Sequence, residues 1–267
     1  MGDGGQQRER VLITGGCGGL GSALAEAFLE RDADVAVADL SPQRDLPQRL
    51  RGRVAVHAVD VSAETSVTDL VAAVEQELGP LTTVVANAGV PGGGGLAASA
   101  EVWAQSWAVN VMAHVHLARA VVPLMVARGG GRFVSVASAA GLLTNLGNAP
   151  YSATKHAAAA FAEWLAITYG DEGLDVRLVA PMGITTPMLQ RGRGTLAGES
   201  VAALGVIEPA EAAKRIMAGL DSGRFLILTH PEAARFEQAR AADRDAWLTG
   251  MRRAQAAIVA RLSSRGG

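Results

Sequence analysis

The sequence predicts an α/β fold: one domain in which a parallel sheet of about seven strands is covered on both faces by helices. Three observations carry that prediction. Short apolar runs alternate along the chain with stretches of helical length, as they do where strands are buried on both faces. The first apolar run, Val11-Leu-Ile-Thr14, passes through a glycine-rich turn into an amphipathic stretch from Ser22 to Glu30. Finally, 267 residues with 49% hydrophobic and 19% charged content suit one domain with a large core and leave little room for a second catalytic domain.

In chain order, strands begin near Val11, Asp34, Arg53, Thr82, Gly131, Leu174 and Arg224. Helices are expected over about 20–31, 64–78, 101–127, 151–170, 208–221 and 231–262. The first strand and helix are joined by Gly15-Gly-Cys17-Gly18-Gly19-Leu20-Gly21. Glycine permits positive φ and close backbone approach, so the first amides of the helix can face a pyrophosphate at its positive end. This reads as a nucleotide-binding turn. The second strand ends at Asp39, about 20 residues further on, where a carboxylate can accept hydrogen bonds from ribose hydroxyls and would repel a 2′-phosphate. NAD is therefore favoured over NADP, with Arg44 as the counterweight, since it could reach a phosphate if its loop folds back. Pro91-Gly-Gly-Gly-Gly95 reads as a flexible loop after the central strand, because the helix behind it carries Asn110. Residues 187–207, with four glycines, read as a mobile loop over the substrate. Residues 1–230 are expected to form the sheet domain and 231–267 a helical extension of it.

Tyr151 and Lys155 lie four residues apart, which places a phenol and an ammonium on one helix face. A free phenol has a pKa of about 10, and a fixed cation beside it favours the phenolate, so the pair could exchange a proton with a substrate oxygen near neutral pH. Composition sharpens this reading. Of 24 Lys+Arg only two are Lys, at 155 and 214, so lysine at 155 points to a compact ammonium that guanidinium cannot replace.

Together these motifs resemble the classical short-chain dehydrogenase/reductase family, through about Thr186. Thr14-Gly15-x-x-x-Gly19-x-Gly21 resembles its cofactor loop, Asp60-Val61 its adenine contact and Asn87-Ala88-Gly89 its central-strand motif. Asn110 resembles the family's helix asparagine, Ser138 its catalytic serine, and Tyr151 and Lys155 its catalytic pair. Pro181-Met182-Gly183-Ile184-Thr185-Thr186 resembles the segment after the sixth strand, although the family usually has Gly directly after the proline. Met182 is the main departure. The resemblance implies a Rossmann-like doubly wound sheet with its ligand at the carboxyl ends of the strands. It also implies a cofactor site made of Gly15, Cys17, Gly18, Gly19, Leu20, Gly21, Asp39, Leu40, Asp60, Val61, Asn87, Ala88, Gly89, Tyr151, Lys155, Pro181, Gly183, Ile184 and Thr186. Where NADP-using members often carry a basic side chain, this chain has Gly18 and Leu40.

The roles implied by the resemblance are specific. Tyr151 exchanges the hydroxyl proton of an alcohol while hydride passes to nicotinamide, or the reverse on a ketone. Ser138 orients the oxygen, Lys155 lowers the tyrosine pKa and holds the nicotinamide ribose, and Asn110 positions a water that passes the proton on. A homodimer or homotetramer built through 101–127 and 151–170 is implied as well. The alternatives are an NADPH-dependent ketoreductase and a non-catalytic dinucleotide-binding regulator, against which the intact Ser138, Tyr151, Lys155 and Asn110 argue.

Substrate class rests on Leu142, Leu143, Leu146, Met182, Met188 and Leu189, candidate cleft residues that suit an apolar secondary alcohol or ketone. Arg191 and Arg193 on the 187–207 loop could swing in. NAD use favours oxidation of the alcohol. A net charge of -2 leaves no nucleic-acid footprint. No uncharged apolar run is of membrane-spanning length, and the polar stretch 1–10, expected to fray, has no apolar signal core, so a cytoplasmic protein is expected. The one cysteine, Cys17, excludes an internal disulfide and reads as a small buried neighbour of the phosphates. No metal site is expected, because His114 and His116 fall on different helix faces, while His57, His156 and His230 are expected at the surface or in the core. Phe133 and Trp164 are expected in the core. In the tail, Phe236, Ala239, Trp247, Met251, Ile258 and Leu262 among charged residues suggest an amphipathic helix or helix pair. It would cover a neighbouring subunit, the substrate cleft or its own domain.

Overall fold

The computed structural model describes residues 8–265. The first half of the chain alternates strand and helix: β1 (Arg10–Thr14), α1 (Gly19–Leu29), β2 (Asp34–Asp39), α2 (Pro42–Asp45), β3 (Ala55–Ala58), α3 (Glu64–Leu78) and β4 (Thr83–Ala86). A long helix follows as α4 (Ala100–Trp107) and α5 (Ala113–Ala127), joined by one π turn over Ala108–Met112, where the amide of Ala113 reaches back five residues to Ala108. Next come β5 (Gly131–Val136), α6 (Ala140–Leu143), α7 (Ala149–Tyr169) and β6 (Leu174–Ala180). The remainder holds β7 (Gly183–Ile184), α8 (Pro187–Arg191), α9 (Leu196–Ala202), β8 (Val206–Ile207), α10 (Pro209–Asp221), β9 (Leu226–Leu228), α11 (Glu232–Ala242) and α12 (Arg244–Arg265).

The main sheet has seven strands in the order β3-β2-β1-β4-β5-β6-β9, every neighbouring pair parallel. The order reverses between β1 and β4, so the carboxyl ends of these two strands open a crevice. Continuous apolar runs form these strands because both faces are buried. Val11 and Ile13 point with Val35, Val37, Val85 and Val134 toward Phe28 of α1 and Ile216 of α10. Leu12, one residue out of phase, points with Ala36, Val84 and Phe133 toward Val71 of α3, Leu117 of α5 and Leu165 of α7. Phe28 and Phe133 are fully buried, each contributing about 2–3 kcal/mol relative to exposure.

The expected strands and long helices are present, and several local expectations change. Residues 1–7 lie outside the described residues, but Arg8 is not frayed: it pairs with Asp32 and Asp34, and Arg10 starts β1. Residues 187–207 are not a plain loop. Thr186 and Thr195 each cap a short helix through the side-chain oxygen. The tail is a helix pair divided at Asp243, and α11 packs on α6 while α12 packs on α9. Trp164 is not core: it is 51% exposed, stacked on Phe161 at 6.0 Å and edge-on to Tyr169. The segment Ala100–Ala127 is long and apolar enough by composition to cross a membrane, but 56% of its apolar window is buried, with Val121 and Met125 in the core.

Candidate active site

The turn between β1 and α1 is shaped by contacts that only glycine can make. Gly15 has φ of 63°, and a Cβ there would lie 2.8 Å from Ala88 Cα. A Cβ on Gly16 would lie 2.6 Å from Val37 Cβ, one on Gly19 2.8 Å from the Thr186 methyl, and one on Gly21 would collide with the Gly15 carbonyl. No side chain caps α1, whose N-cap is the exposed Gly18, so its first amides are left for a ligand. A narrow glycine cradle at an uncapped helix start fits the pyrophosphate of a dinucleotide.

Thr14 and Asn87 hold this turn against the central strand. The Thr14 hydroxyl accepts from the amides of Asn87 (3.1 Å) and Ala88 (3.2 Å). Asn87 Nδ2 donates in return to the carbonyls of Thr14 and Gly15, at 3.0 and 3.1 Å. At the end of β2, the Asp39 carboxylate accepts from the amides of Cys17 (3.1 Å) and Leu40 (2.8 Å). Burial, with Asp39 beside it, pushes the Cys17 thiol up to about 11, which leaves it protonated and unreactive at neutral pH. Arg44, which could have reached toward a 2′-phosphate, instead pairs with Asp45 at 2.9 Å. Past β3, Asp60 accepts from the side-chain hydroxyl and amide of Ser62, which lower its pKa. The carbonyl of Val61 lies 3.3 Å from His116 Nδ1.

The second group of residues gathers after β5 and along α7. Asn148 starts α7 by accepting from the Tyr151 amide, with Pro150 in the first turn, and its Nδ2 donates to the Pro91 carbonyl at 2.8 Å. The 91–95 loop is thus tied to the tyrosine helix. Lys155 is 3% exposed, and its Nζ donates to the Val136 carbonyl at 3.0 Å and lies 5.8 Å from the centre of the Tyr151 ring. Burial depresses its pKa to about 8. Burial raises the Tyr151 phenol, and only the nearby Ser138 hydroxyl, whose Oγ lies 3.4 Å from the Pro181 carbonyl it donates to, opposes this. The sequence-based expectation that Lys155 lowers the phenol therefore does not describe the free protein, because the ammonium is directed to a backbone carbonyl. Ser138 Oγ also accepts from the Ala140 amide at 3.1 Å.

Asn110 sits in the π turn, fully buried, and is occupied in a way its sequence position does not reveal. Its Oδ1 accepts from the Val90 amide, and its Nδ2 donates to the Val90 carbonyl and to Thr154 Oγ1. It clamps the segment after Asn87-Ala88-Gly89. A Cβ on Gly89 would stand 3.3 Å from Asn110 Oδ1 and 3.5 Å from Lys155 Nζ, so Gly89, Asn110 and Lys155 meet at one point. The Pro181 carbonyl accepts from the Ala139 amide at 2.8 Å. Met182 hangs by its amide from Thr229 Oγ1 (3.4 Å), and its backbone does not require glycine, since among the described residues only Asp32 and Thr144 combine a side chain with positive φ. Gly183 and Ile184 are buried in β7, and the Thr186 methyl fills the space over Gly19.

Asn110 and Lys155 are thus brought together at Gly89, with the Tyr151 ring 5.8 Å from the ammonium, whereas Asp39 and Leu40 lie three strands from Ser138, roughly 14 Å at ordinary strand spacing. Asp60 and Val61 are further out still. Thr14 was named as part of the glycine motif but not for its bonds to the central strand, and Asn148 and Thr154 were missed by sequence reasoning. Of the two missed, only Asn148 left a local signal, an Asn two residues before a Pro at a helix start. His114, fully buried, lies with Nδ1 2.9 Å from Ser135 Oγ, and burial lowers its pKa to about 3.

Residues 9–196 match the family model described as short chain dehydrogenase. The chain is 33% identical over 184 residues to a 2,5-dichloro-2,5-cyclohexadiene-1,4-diol dehydrogenase of Sphingobium indicum, covering 67% of this chain and 74% of that one. Among solved structures it is similar to a short chain dehydrogenase/reductase from Burkholderia phymatum in complex with NAD, with TM-score 0.78 and 26% identity over 89% of this chain and 94% of the other. It is also similar to a short chain dehydrogenase from Burkholderia cenocepacia in complex with NADP, with TM-score 0.77 and 25% identity over 90% and 95% of the two chains.

The buried ammonium has a consequence for stability. Between pH 8 and pH 10.5 the unfolded chain keeps a proton at Lys155 that the folded chain releases, so this group adds stability as pH rises through that window; below pH 8 its burial penalty is fully present. Lys155→Met is expected to be more stable than wild type at pH 7 by about 1–3 kcal/mol, with the gap closing toward pH 10.5. Urea unfolding at a series of pH values checks this; a gap that does not depend on pH would contradict it.

Proposed function

The chain belongs to the short-chain dehydrogenase family, and on that premise we propose that it is an NAD(H)-dependent oxidoreductase that interconverts an apolar secondary alcohol and the corresponding ketone. Membership makes it an oxidoreductase acting on CH–OH groups. The observation that carries the finer reading is the pair of half-buried Tyr151 and buried Lys155, with the ammonium 5.8 Å from the centre of the phenol ring.

The glycine cradle and Lys155 would hold a nicotinamide dinucleotide, which would supply the acceptor or donor of hydride. Tyr151 exchanges the proton of the substrate oxygen, and the Ser138 hydroxyl beside the phenol orients that oxygen. Lys155 has given one of its three hydrogens to Val136 and keeps two for ribose hydroxyls and for the phenol as negative charge develops there. Asn110 fixes Val90, and the second lone pair of Oδ1, beside Gly89 and Lys155, can hold a water that carries the proton away.

Asp39 supports NAD, because a carboxylate held by the Cys17 and Leu40 amides meets the adenosine ribose with acceptors and no cation. The pairing of Arg44 with the neighbouring Asp45 supports the same choice. The half-buried Leu142, Leu146, Met182, Met188 and Leu189 support an apolar substrate. A single unpaired cysteine suits a reducing compartment, and we place the enzyme in the cytoplasm. Exposed Ile167 (84%) and Trp164 on α7, with Trp103 and Trp107 on α4, support a subunit interface in a homodimer or homotetramer. Sedimentation should find an oligomer that Ile167→Asp weakens; a monomeric wild type would remove this part of the proposal.

Nicotinamide fluorescence should show tighter binding of NADH than of NADPH, and a panel of apolar secondary alcohols should be oxidised with NAD. Tyr151→Phe should lower turnover by about 10²- to 10⁴-fold with NADH affinity unchanged. Tighter NADPH binding would overturn the cofactor assignment, and NADH binding without turnover on any alcohol or ketone would overturn the reaction.

A further inference from the structure

Residues 185–205 form a flap whose base is closed by a separate two-stranded sheet of β7 and β8. Gly183 and Ile184 pair with Val206 and Ile207, and the Thr185 amide donates to the Ile207 carbonyl at 2.9 Å. The flap starts over the cofactor turn, where Thr186 fills the space above Gly19. Its far end rests on the loop before Tyr151: Ser200 Oγ donates to Asn145 Oδ1 at 2.9 Å, and the Leu196 side chain meets Gly147. Within the flap, Gly198 packs so tightly on Gly192 that a Cβ would collide with its carbonyl, so α9 is packed directly on the end of α8. The flap therefore crosses from the glycine cradle to the tyrosine helix, above the place where a substrate would lie.

Its outer side is held by the C-terminal extension. Glu199 and Ala202 of α9, with Ala203 just past its end, face Ile258, Arg261 and Leu262 of α12 around a space of about 200 Å³. Ile258 is 5% exposed and is the one buried side chain of α12 among the described residues, so it is the main apolar contact of that helix on this face. The other end of the extension is fixed near the same site. α11 packs on α6, just past Ser138, Arg240 Nη2 lies 3.5 Å from His156 Nε2 on α7, and Phe236 meets Trp247 at 6.2 Å to join α11 to α12.

We propose that Ile258, seconded by Leu262, is a positioning residue that pins α9 over the substrate cleft and so limits the size of the alcohol or ketone admitted. This rests on the cleft assignment of the preceding subsection and treats residues 231–267 as part of the same domain. Ala202 and Ala203 supply the apolar part of this contact, beside Glu199 and Arg261, and Ile258 is its buried centre, so a charge at 258 weakens the hold without touching the cradle or Tyr151.

The test is hydrogen exchange on the full-length protein as wild type, Ile258→Asp and Ile258→Val, with NADH affinity and kinetics on 2-butanol and 1-(2-naphthyl)ethanol. Ile258→Asp should lower protection of residues 196–202 by about tenfold, the worth of one buried aliphatic side chain. NADH affinity should stay unchanged, and the kcat/KM ratio of the large to the small alcohol should rise several-fold through KM. Ile258→Val should restore wild-type behaviour. Unchanged exchange at 196–202 in Ile258→Asp would overturn the pinning, and faster exchange with an unchanged ratio would overturn its effect on size. If NADH binds but wild type oxidises neither alcohol, it is the alcohol reading that fails, and exchange at 196–202 still decides the pinning.

Discussion

An ammonium taken out of water is expensive, and the burial of Lys155 against the Val136 carbonyl is the constraint around which the rest of the site is arranged. One hydrogen bond does not satisfy three donors. The protein carries this deficit at the carboxyl end of β5, beside a phenol that burial keeps protonated and next to Gly89, the nearest point of the central-strand motif. Each group is poorly solvated alone, and each has what the other lacks once a substrate oxygen and a ribose arrive. A site of this kind favours the charge distribution of the reaction over that of the resting protein.

Holding that arrangement needs several elements at once. β5 supplies the carbonyl, α7 the phenol and the ammonium, and the π turn places Asn110 where it locks Val90 and reaches Thr154 on α7. Thr14 and Asn87 stitch the glycine turn to β4 from the other side of the switch point. The sheet order puts Asp39 three strands from Ser138, a separation on the scale of a dinucleotide laid across the strand ends. On the proposed function, chemistry at one end and adenosine selection at the other would be set by one framework. The flap and its strap then decide what approaches the reactive end.

The fold was legible where local rules suffice. Alternating apolar runs gave the strands, and the spacing of Gly15, Gly19 and Gly21 gave the turn, because steric exclusion of a Cβ leaves its mark directly on residue type. Residue type also exposed Lys155 in a chain that otherwise uses Arg. What stayed hidden depends on distance in space. The contacts of Thr14 with Asn87 and of Asn110 with Val90 join residues far apart in sequence, and nothing near either predicts its partner. Trp164 was misplaced because an alanine-rich helix shows no sharp apolar stripe, and an exposed face is indistinguishable by composition from a buried one. In 187–207 the glycines outweighed two threonine caps that the structure does use.

The state of the Tyr151 phenol is the most direct probe of this account. The chain has two tyrosines, so the phenolate absorbance of wild type minus that of Tyr151→Phe isolates one of them across a pH titration. The account predicts that Tyr151 ionises above pH 10 in the free protein, raised by burial, and that its titration moves down once NAD saturates the site and the ammonium is shared with the ribose and the phenol. Ionisation near neutral pH in the free protein, with no response to NAD, would contradict it.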